Sequence, residues 1–310
     1  MKPCIGLIAG HSGDSLTDIL KRKGYGVAIV GGAKNEPGMD KADFILVEDL
    51  SRPREIISFF KEHEVNKVII GTGHYKAIVL SNALERSGFK TNINYSNSIL
   101  AKDKLKFKEE LLRINIATPK YLSIDVNENI SIDEITGKIA VPCVVKSTID
   151  AVQPVKVNSA IELKEAIENV KATNTVVMIE EYIKGNDCTV AVESDGKNVR
   201  SLGVTYYSKA KEYKLKGFDE AYSRKMSEDK EAELNKVAIQ IVKQLGFTGL
   251  LRIDFIIAEN SEEIYVLELK TVIVTGYKGS AYPFFKEQGI DIAEVMISNS
   301  LKLLGLEKEV

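Results

Sequence analysis

The chain has 310 residues, enough for two or three domains, with 44% hydrophobic and 28% charged residues, the mix of a soluble globular protein. A formal net charge of -2 removes the main electrostatic argument for a nucleic acid or an anionic membrane as partner. Three widely spaced cysteines and three scattered histidines form neither a CxxC pair nor a zinc motif, so reduced thiols in a cytoplasmic protein are expected.

In chain order, CIGLIAG (4–10) is a continuous apolar run ending in glycine, read as a buried first strand rather than a signal peptide. SLTDILKRKG (15–24) has helical spacing and a glycine stop. GVAIVGG (26–32), ADFILVED (42–49) and KVIIGTG (67–73) are further apolar strands, with the helix SRPREIISFFKEH (51–63) between two of them. Alternation of this kind predicts a parallel α/β sheet covered on both faces, a Rossmann-like domain over 1–96. GHSGD (10–14) follows the first strand and could cradle a ligand, although a lone glycine turn there is usually only a turn; GTGHY (71–75) lies where open α/β sheets bind ligands, which makes His74 a candidate there.

The texture changes near residue 97. SNSILAKDKLKFKEELLRINIATPKYLSI reads as one capped, charged helix and a proline-containing link; its lysines other than Lys104 are expected on a solvated face. The strand AVPCVVKST (140–148), the helix SAIELKEAIENVKA (159–172) and the strand TVVMIEEYIKG (175–185) complete a central unit, 97–185. DCTVAVES (187–194), a lysine- and tyrosine-rich connection (205–225) with Tyr206, Tyr207 and Tyr213 as lid or packing residues, and the helix EDKEAELNKVAIQIVKQLG (228–246) follow. A hairpin at 251–271, a glycine-rich loop TGYKGS (275–280) and a closing helix near 290–304 end a unit spanning 186–310. The antiparallel hairpins make these last two units α+β.

The hairpin LRIDFIIAENSEEIYVLELKT (251–271) is the most informative stretch. A turn centred on Ser261 puts Asp254 directly opposite Glu268, with Arg252 and Lys270 on the same face. Opposed like charges on a half-buried sheet need a cation between them. Two readings stand: an ion-pair ladder of the four residues, or a site for Mg²⁺, which takes one or two carboxylates plus phosphate oxygens.

Further pieces bear on the choice. Lys146 ends the apolar strand VPCVVKS, and Glu180 and Glu181 follow another strand just before a glycine turn and Asp187. A lysine at 104, Lys146 on a strand, EEYIKGNDCTVAV, and then GFTGLLRIDFII and IYVLELKT resemble, in that order, the ATP-grasp superfamily. The likeness is greatest to D-alanine–D-alanine ligases and related carboxylate–amine ligases; it runs over residues 97–300 and is strongest over 244–271.

The resemblance implies an ATP-grasp fold behind a Rossmann-like domain, and ATP with Mg²⁺ or Mn²⁺ as cofactors. It implies that Lys104 and Lys146 touch ATP phosphates, that Glu180, Glu181 and Ile183 form the adenine hinge, and that Asp187 meets the ribose. Lys211 is implied on the loop covering the phosphates, Asp254 and Glu268 as metal ligands, Arg252 as the stabiliser of the acyl-phosphate or tetrahedral intermediate, and Ser280 at the substrate. The partners implied are a small-molecule carboxylate and an amine, with the chain as a homodimer.

Two departures matter. Lys270 stands where the family has a third metal-ligating asparagine, and an ammonium cannot coordinate a cation; either a metal site is lost, or Lys270 itself contacts phosphate. The loop after Lys146, STIDAVQPVKV, lacks the family's glycines. The altered segment KTVIVTGYKGS argues against D-alanine as substrate. The expected activity is ATP-dependent carboxylate–amine ligation; the rival reading is a catalytically weakened nucleotide-binding regulatory or partner protein.

Overall fold

The computed structural model describes residues 2–125, 127–128, 130–149, 152–173, 176–206, 227–278 and 281–306. The first layer comprises β1 (Cys4–Ile8), α1 (Gly13–Arg22), β2 (Gly26–Gly31), β3 (Phe44–Val47), α2 (Pro53–Glu62), β4 (Lys67–Ile70), α3 (Tyr75–Arg86) and β5 (Lys90–Thr91). The strands form one parallel sheet in the order β3-β2-β1-β4-β5, so the order reverses between β1 and β4. Continuous apolar strands favour this arrangement because helices cover both faces. The outermost strand departs from it: Phe44 and Ile45 of β3 stay 40% and 48% exposed. Its edge position explains this, and the Phe44 ring stacks on that of His63, with centroids 4.0 Å apart.

The second layer follows with α4 (Tyr95–Lys102), α5 (Lys104–Arg113), β6 (Tyr121–Asp125), α6 (Ile132–Lys138), β7 (Cys143–Ser147), β8 (Val155–Val157), α7 (Ala160–Lys171) and β9 (Val176–Glu181). The single helix expected here is two. Asp103 is extended (φ -84°, ψ 96°), and its side chain accepts the Lys106 N–H, capping α5 and ending α4; a short carboxylate offers the backbone that alternative. The sheet runs β6-β9-β7-β8, all antiparallel. One face buries Ile124, Cys143, Val145, Val177 and Ile179 in a core with Leu163, Ile167 and Val170 of α7. Cross-strand partners share a face, so the opposite one carries Tyr121, Glu180 and Val144 in one row and Ser123, Met178 and Lys146 in the next.

The third layer holds β10 (Gly185–Ser194), β11 (Val199–Tyr206), α8 (Glu228–Leu245), β12 (Gly249–Ala258) and β13 (Ile264–Lys270), in the sheet order β11-β10-β12-β13. Leu234, Ile241 and Val242 of α8 and Phe107 and Leu111 of α5 pack with Val190, Leu251, Ile253, Phe255 and Val266 of this sheet. After α9 (Ala281–Glu287), the closing helix α10 (Ile292–Leu303) returns to the first layer, where Met296, Ile297 and Leu301 join the core of Leu16, Leu20 and Ile29. Among the described residues, no helix is long and apolar enough to cross a membrane.

Candidate active site

The β12–β13 ladder pairs Arg252 with Lys270, Ile253 with Leu269 and Asp254 with Glu268, and shifts register immediately after Asp254. Ile253 and Leu269 point into the core, which leaves the four charged residues on the opposite face. On the other side of β12, β10 sets Thr189 against Asp254 and Ala191 against Arg252. The two acids are therefore direct cross-strand neighbours, and each is held by a cation two residues along its own strand. Arg252 Nη2 lies 3.1 Å from Asp254 Oδ2, and Lys270 Nζ lies 2.9 Å from Glu268 Oε2. The Thr189 hydroxyl donates to Asp254 Oδ1 at 2.7 Å. Asp254 is 2% exposed, whereas Glu268 and Lys270 are half-buried.

The ion-pair ladder is thus real, yet it leaves the carboxylates opposed. A carboxylate has roughly four lone-pair sites, and two opposed carboxylates are the kind of donor set that suits one shared hard cation. Lys270 offers it nothing but repulsion. Among the described residues no group of three or more His, Cys, Asp or Glu could hold a metal ion.

The second cluster lies on the face of the β6–β9–β7–β8 sheet opposite α7, where its residues are buried. Lys146 of β7 ion-pairs with Glu180 Oε2, and Lys108 of α5 reaches Glu180 Oε1 at 2.7 Å. Lys108 does not lie on a solvated helix face; it is fully buried. Its charge suggests solvent, although Lys104, Phe107, Lys108 and Leu111 follow the i, i+3, i+4, i+7 spacing of a buried stripe. Its ammonium also donates to Thr118 Oγ1, whose hydroxyl donates at 2.8 Å to the carbonyl of Val266 on β13. The Tyr121 ring centroid lies 5.5 Å from Lys108 Nζ. Burial would raise the Glu180 carboxyl, but the Lys146 and Lys108 ammoniums hold it below the usual carboxylate range. Burial pushes the Lys108 ammonium down to about 8, with Glu180 pulling the other way.

Glu180 is enclosed on both sides in the ladder, with Tyr121 of β6 and Val144 of β7 as partners, and its carboxylate serves the lysines. Glu181 ends β9: its N–H donates to Lys120 O at 2.9 Å, and its Oε1 accepts the Lys120 N–H at 2.7 Å. Ile183 is half-buried in the short link from β9 to β10, and Asp187 is exposed on β10. Lys104 opens α5, and its N–H donates at 2.9 Å to Thr148 O in the loop just after Lys146. Lys211, Ser280, Tyr207 and Tyr213 lie outside the described residues. Tyr206 is buried, and its hydroxyl donates to Glu231 at 3.1 Å.

In the first layer, His74 caps α3, its Nδ1 accepting the Lys76 N–H at 3.3 Å. The GHSGD turn cradles protein: Thr275 N–H donates to Ser12 Oγ, and the Ser15 hydroxyl donates to Thr275 O, both at 2.9 Å. The segment following the β12–β13 hairpin is thereby pinned to the C-terminal end of β1.

Residues 111–298, more than half of the chain, match the family described as D-ala D-ala ligase C-terminus. Against the D-alanine–D-alanine ligase of Janthinobacterium sp. (strain Marseille), identity is 24% over 212 residues, 62% of this chain and 64% of that enzyme. The match therefore spans less than two thirds of that relative. The D-alanine–D-alanine ligase of Bacillus anthracis, solved with ATP, has a TM-score of 0.75 at 20% identity, covering 98% of this chain and 99% of that one. N5-carboxyaminoimidazole ribonucleotide synthetase from Thermotoga maritima has a TM-score of 0.77 at 17% identity, covering 98% and 76%. Two enzymes with such different names on one fold leave the choice of substrate to the site. With the parallel sheet, the two antiparallel sheets and the motif order now in place, the chain belongs to the D-Ala–D-Ala ligase C-terminal family of the ATP-grasp superfamily.

Proposed function

We propose that the chain is an ATP-dependent carboxylate–amine ligase. The observation that carries this reading is the cross-strand pair Asp254–Glu268, with Thr189 and Arg252 locking the buried member. In this reading the γ-phosphoryl group of ATP passes to a substrate carboxylate oxygen, giving an acyl-phosphate and ADP. An amine then attacks the acyl carbon and phosphate leaves. Asp254 and Glu268 would hold one Mg²⁺ or Mn²⁺, which screens phosphate charge when bound.

The other roles belong to side chains. Lys146 and Lys104 would meet phosphate oxygens, with Lys211 over them. The link after β9, with Glu181 and Ile183, would border the adenine, and Asp187 would face the ribose. Arg252 would hold its guanidinium toward negative charge developing on the acyl group, a role suited to a fixed donor fork. Ser280 would meet the substrate, an amino acid or related carboxylate other than D-alanine. Residues 97–185 and 186–310 would close around the nucleotide as two subdomains, with 1–96 as a third.

A second reading is favoured by one specific contact. Lys270 ion-pairs with Glu268 where a further metal ligand would be useful, which suits a nucleotide-binding partner protein with little turnover. The test is ADP release under Mg²⁺-ATP across single and paired amino acids, wild type beside Asp254→Ala. Turnover that depends on a particular amino acid and disappears in the variant supports the ligase. Nucleotide binding without turnover on every substrate supports the partner protein, and turnover surviving in Asp254→Ala overturns the metal assignment.

A further inference from the structure

We infer that Lys108 is a positioning residue that keeps Lys146 available to an anionic ligand by sharing Glu180 with it, and that Thr118 ties this arrangement to β13. The inference rests on the nucleotide reading above, and it concerns a residue that lies outside the matched span of 111–298.

The argument begins with charge. A lone lysine beside a buried carboxylate forms a neutral pair, and a neutral pair offers a phosphate little. Glu180 is instead divided: Oε2 meets Lys146 and Oε1 meets Lys108. Two ammoniums on one carboxylate leave the buried triad with a net single positive charge at low dielectric, where it is felt strongly. The half-buried Glu181, also facing Lys108, has its carboxylate on the Lys120 N–H. The two lysines are not equivalent, for the Lys108 side chain is 1% exposed and that of Lys146 is 11%. Lys146 is the end that a ligand can reach, and Lys108 is the sealed counterweight that stops Glu180 from neutralising it.

Geometry adds the second half. Lys108 Nζ donates to Thr118 Oγ1, and Thr118 donates to the Val266 carbonyl, while Val266 N–H donates to Ala117 O at 2.9 Å. Val266 lies two residues before Glu268 on β13. A continuous polar chain therefore runs from the strand of the metal-side carboxylate, through Thr118, Lys108 and Glu180, to Lys146 on β7. Ligands that bridge both clusters need that spacing held, because misplacement of a positioned charge is costly.

The experiment is calorimetric titration of wild type, Lys108→Met, Lys108→Arg and Thr118→Val with Mg²⁺-ATP and, separately, with adenosine. The expected result is an ATP affinity at least tenfold weaker in Lys108→Met, an adenosine affinity unchanged within twofold, and partial recovery of ATP binding in Lys108→Arg. Thr118→Val removes no charge and should fold; its ATP affinity should fall severalfold, again with adenosine spared. Equal ATP affinity in Lys108→Met and wild type overturns the inference, as does a parallel loss of ATP and adenosine, which would make Lys108 a fold residue only. If Lys108→Met fails to fold, Thr118→Val decides alone: wild-type ATP affinity in that variant overturns the inference. A wild-type chain that binds adenosine and ATP equally refutes the inference while leaving a nucleoside site standing. A wild-type chain that binds neither sinks the nucleotide reading itself.

Discussion

Lys108 Nζ and Glu180 Oε1 lie 2.7 Å apart, and both side chains are almost wholly sealed from solvent. Breaking such a pair from one side is far costlier than never having made it, because the orphaned charge stays buried. Here Glu180 serves two lysines at once, so its loss strands both. Glu180→Gln keeps the shape and removes the anion. The expected cost is ~3–5 kcal/mol of stability, read as a lower urea midpoint with an unchanged slope. A midpoint equal to that of wild type would mean that the triad contributes nothing to folding.

The same pair predicts a pH dependence whose sign can be worked out. Burial lowers the Lys108 ammonium from its usual 10.5 to about 8, while Glu180 opposes that shift and Lys146 adds to it. The groups facing it are Glu180 and Glu181 from β9, Lys146 from β7 and the Tyr121 ring from β6. Between those two values the unfolded chain holds the proton and the folded chain does not, so this residue's contribution to stability rises with pH through the window. Below pH 8 the depression costs ~3 kcal/mol, and above 10.5 that cost is gone. Subtracting the Lys108→Met stability curve from that of wild type should give a difference that climbs from pH 8 to 10.5. A flat or falling difference would refute the assignment.

How much of this was legible in the chain varied with the physics. The register of Asp254 against Glu268 could be read because alternation and a polar turn set a hairpin's pairing locally. The break at Asp103 was hidden inside a run of good helix formers, where one capping side chain outweighs propensity. Lys108 was legible in its spacing and illegible in its charge, since the partner that permits its burial, Glu180, lies 72 positions further along the chain. The exposure of Phe44 and Ile45 depends on β3 being the outermost strand, and edge position is a tertiary fact. The GHSGD turn offered two readings, a plain turn or a ligand cradle; the chain that fills it, at Thr275, arrives from more than 250 residues away.

Lys270 supplies a third prediction. Its pair with Glu268 is part-exposed, and such pairs contribute ~0–1 kcal/mol to stability. Lys270→Asn should therefore leave the melting midpoint nearly unchanged. If Lys270 supplies charge to the reacting phosphate, ADP release should fall at least tenfold at saturating Mg²⁺. A clear gain of ADP release in that variant would instead show that the lysine restrains turnover, and would favour the partner-protein reading.

The last prediction concerns how the hairpin is fixed to the first layer. Gly276 follows Thr275 at the point where the chain presses against the turn after β1. A Cβ added there would lie 1.9 Å from the carbonyl oxygen of His11, a backbone atom that cannot swing aside. The glycine is required by close approach rather than by an unusual backbone angle. Gly276→Ala must push the segment away from Ser12 and Ser15, whose hydroxyls hold the buried Thr275 N–H and C=O. Overpacking of this kind costs ~1–3 kcal/mol, and an orphaned buried N–H adds ~1–3 kcal/mol. Ser12→Ala removes the hydrogen bond alone and should show only the second of these costs. Thermal melts of the two variants separate the contributions, with Gly276→Ala expected to be the less stable. If Gly276→Ala melts with wild type, the contact between this segment and the β1 turn is not as close as described, and the docking that aligns the hairpin with the first layer is absent in solution.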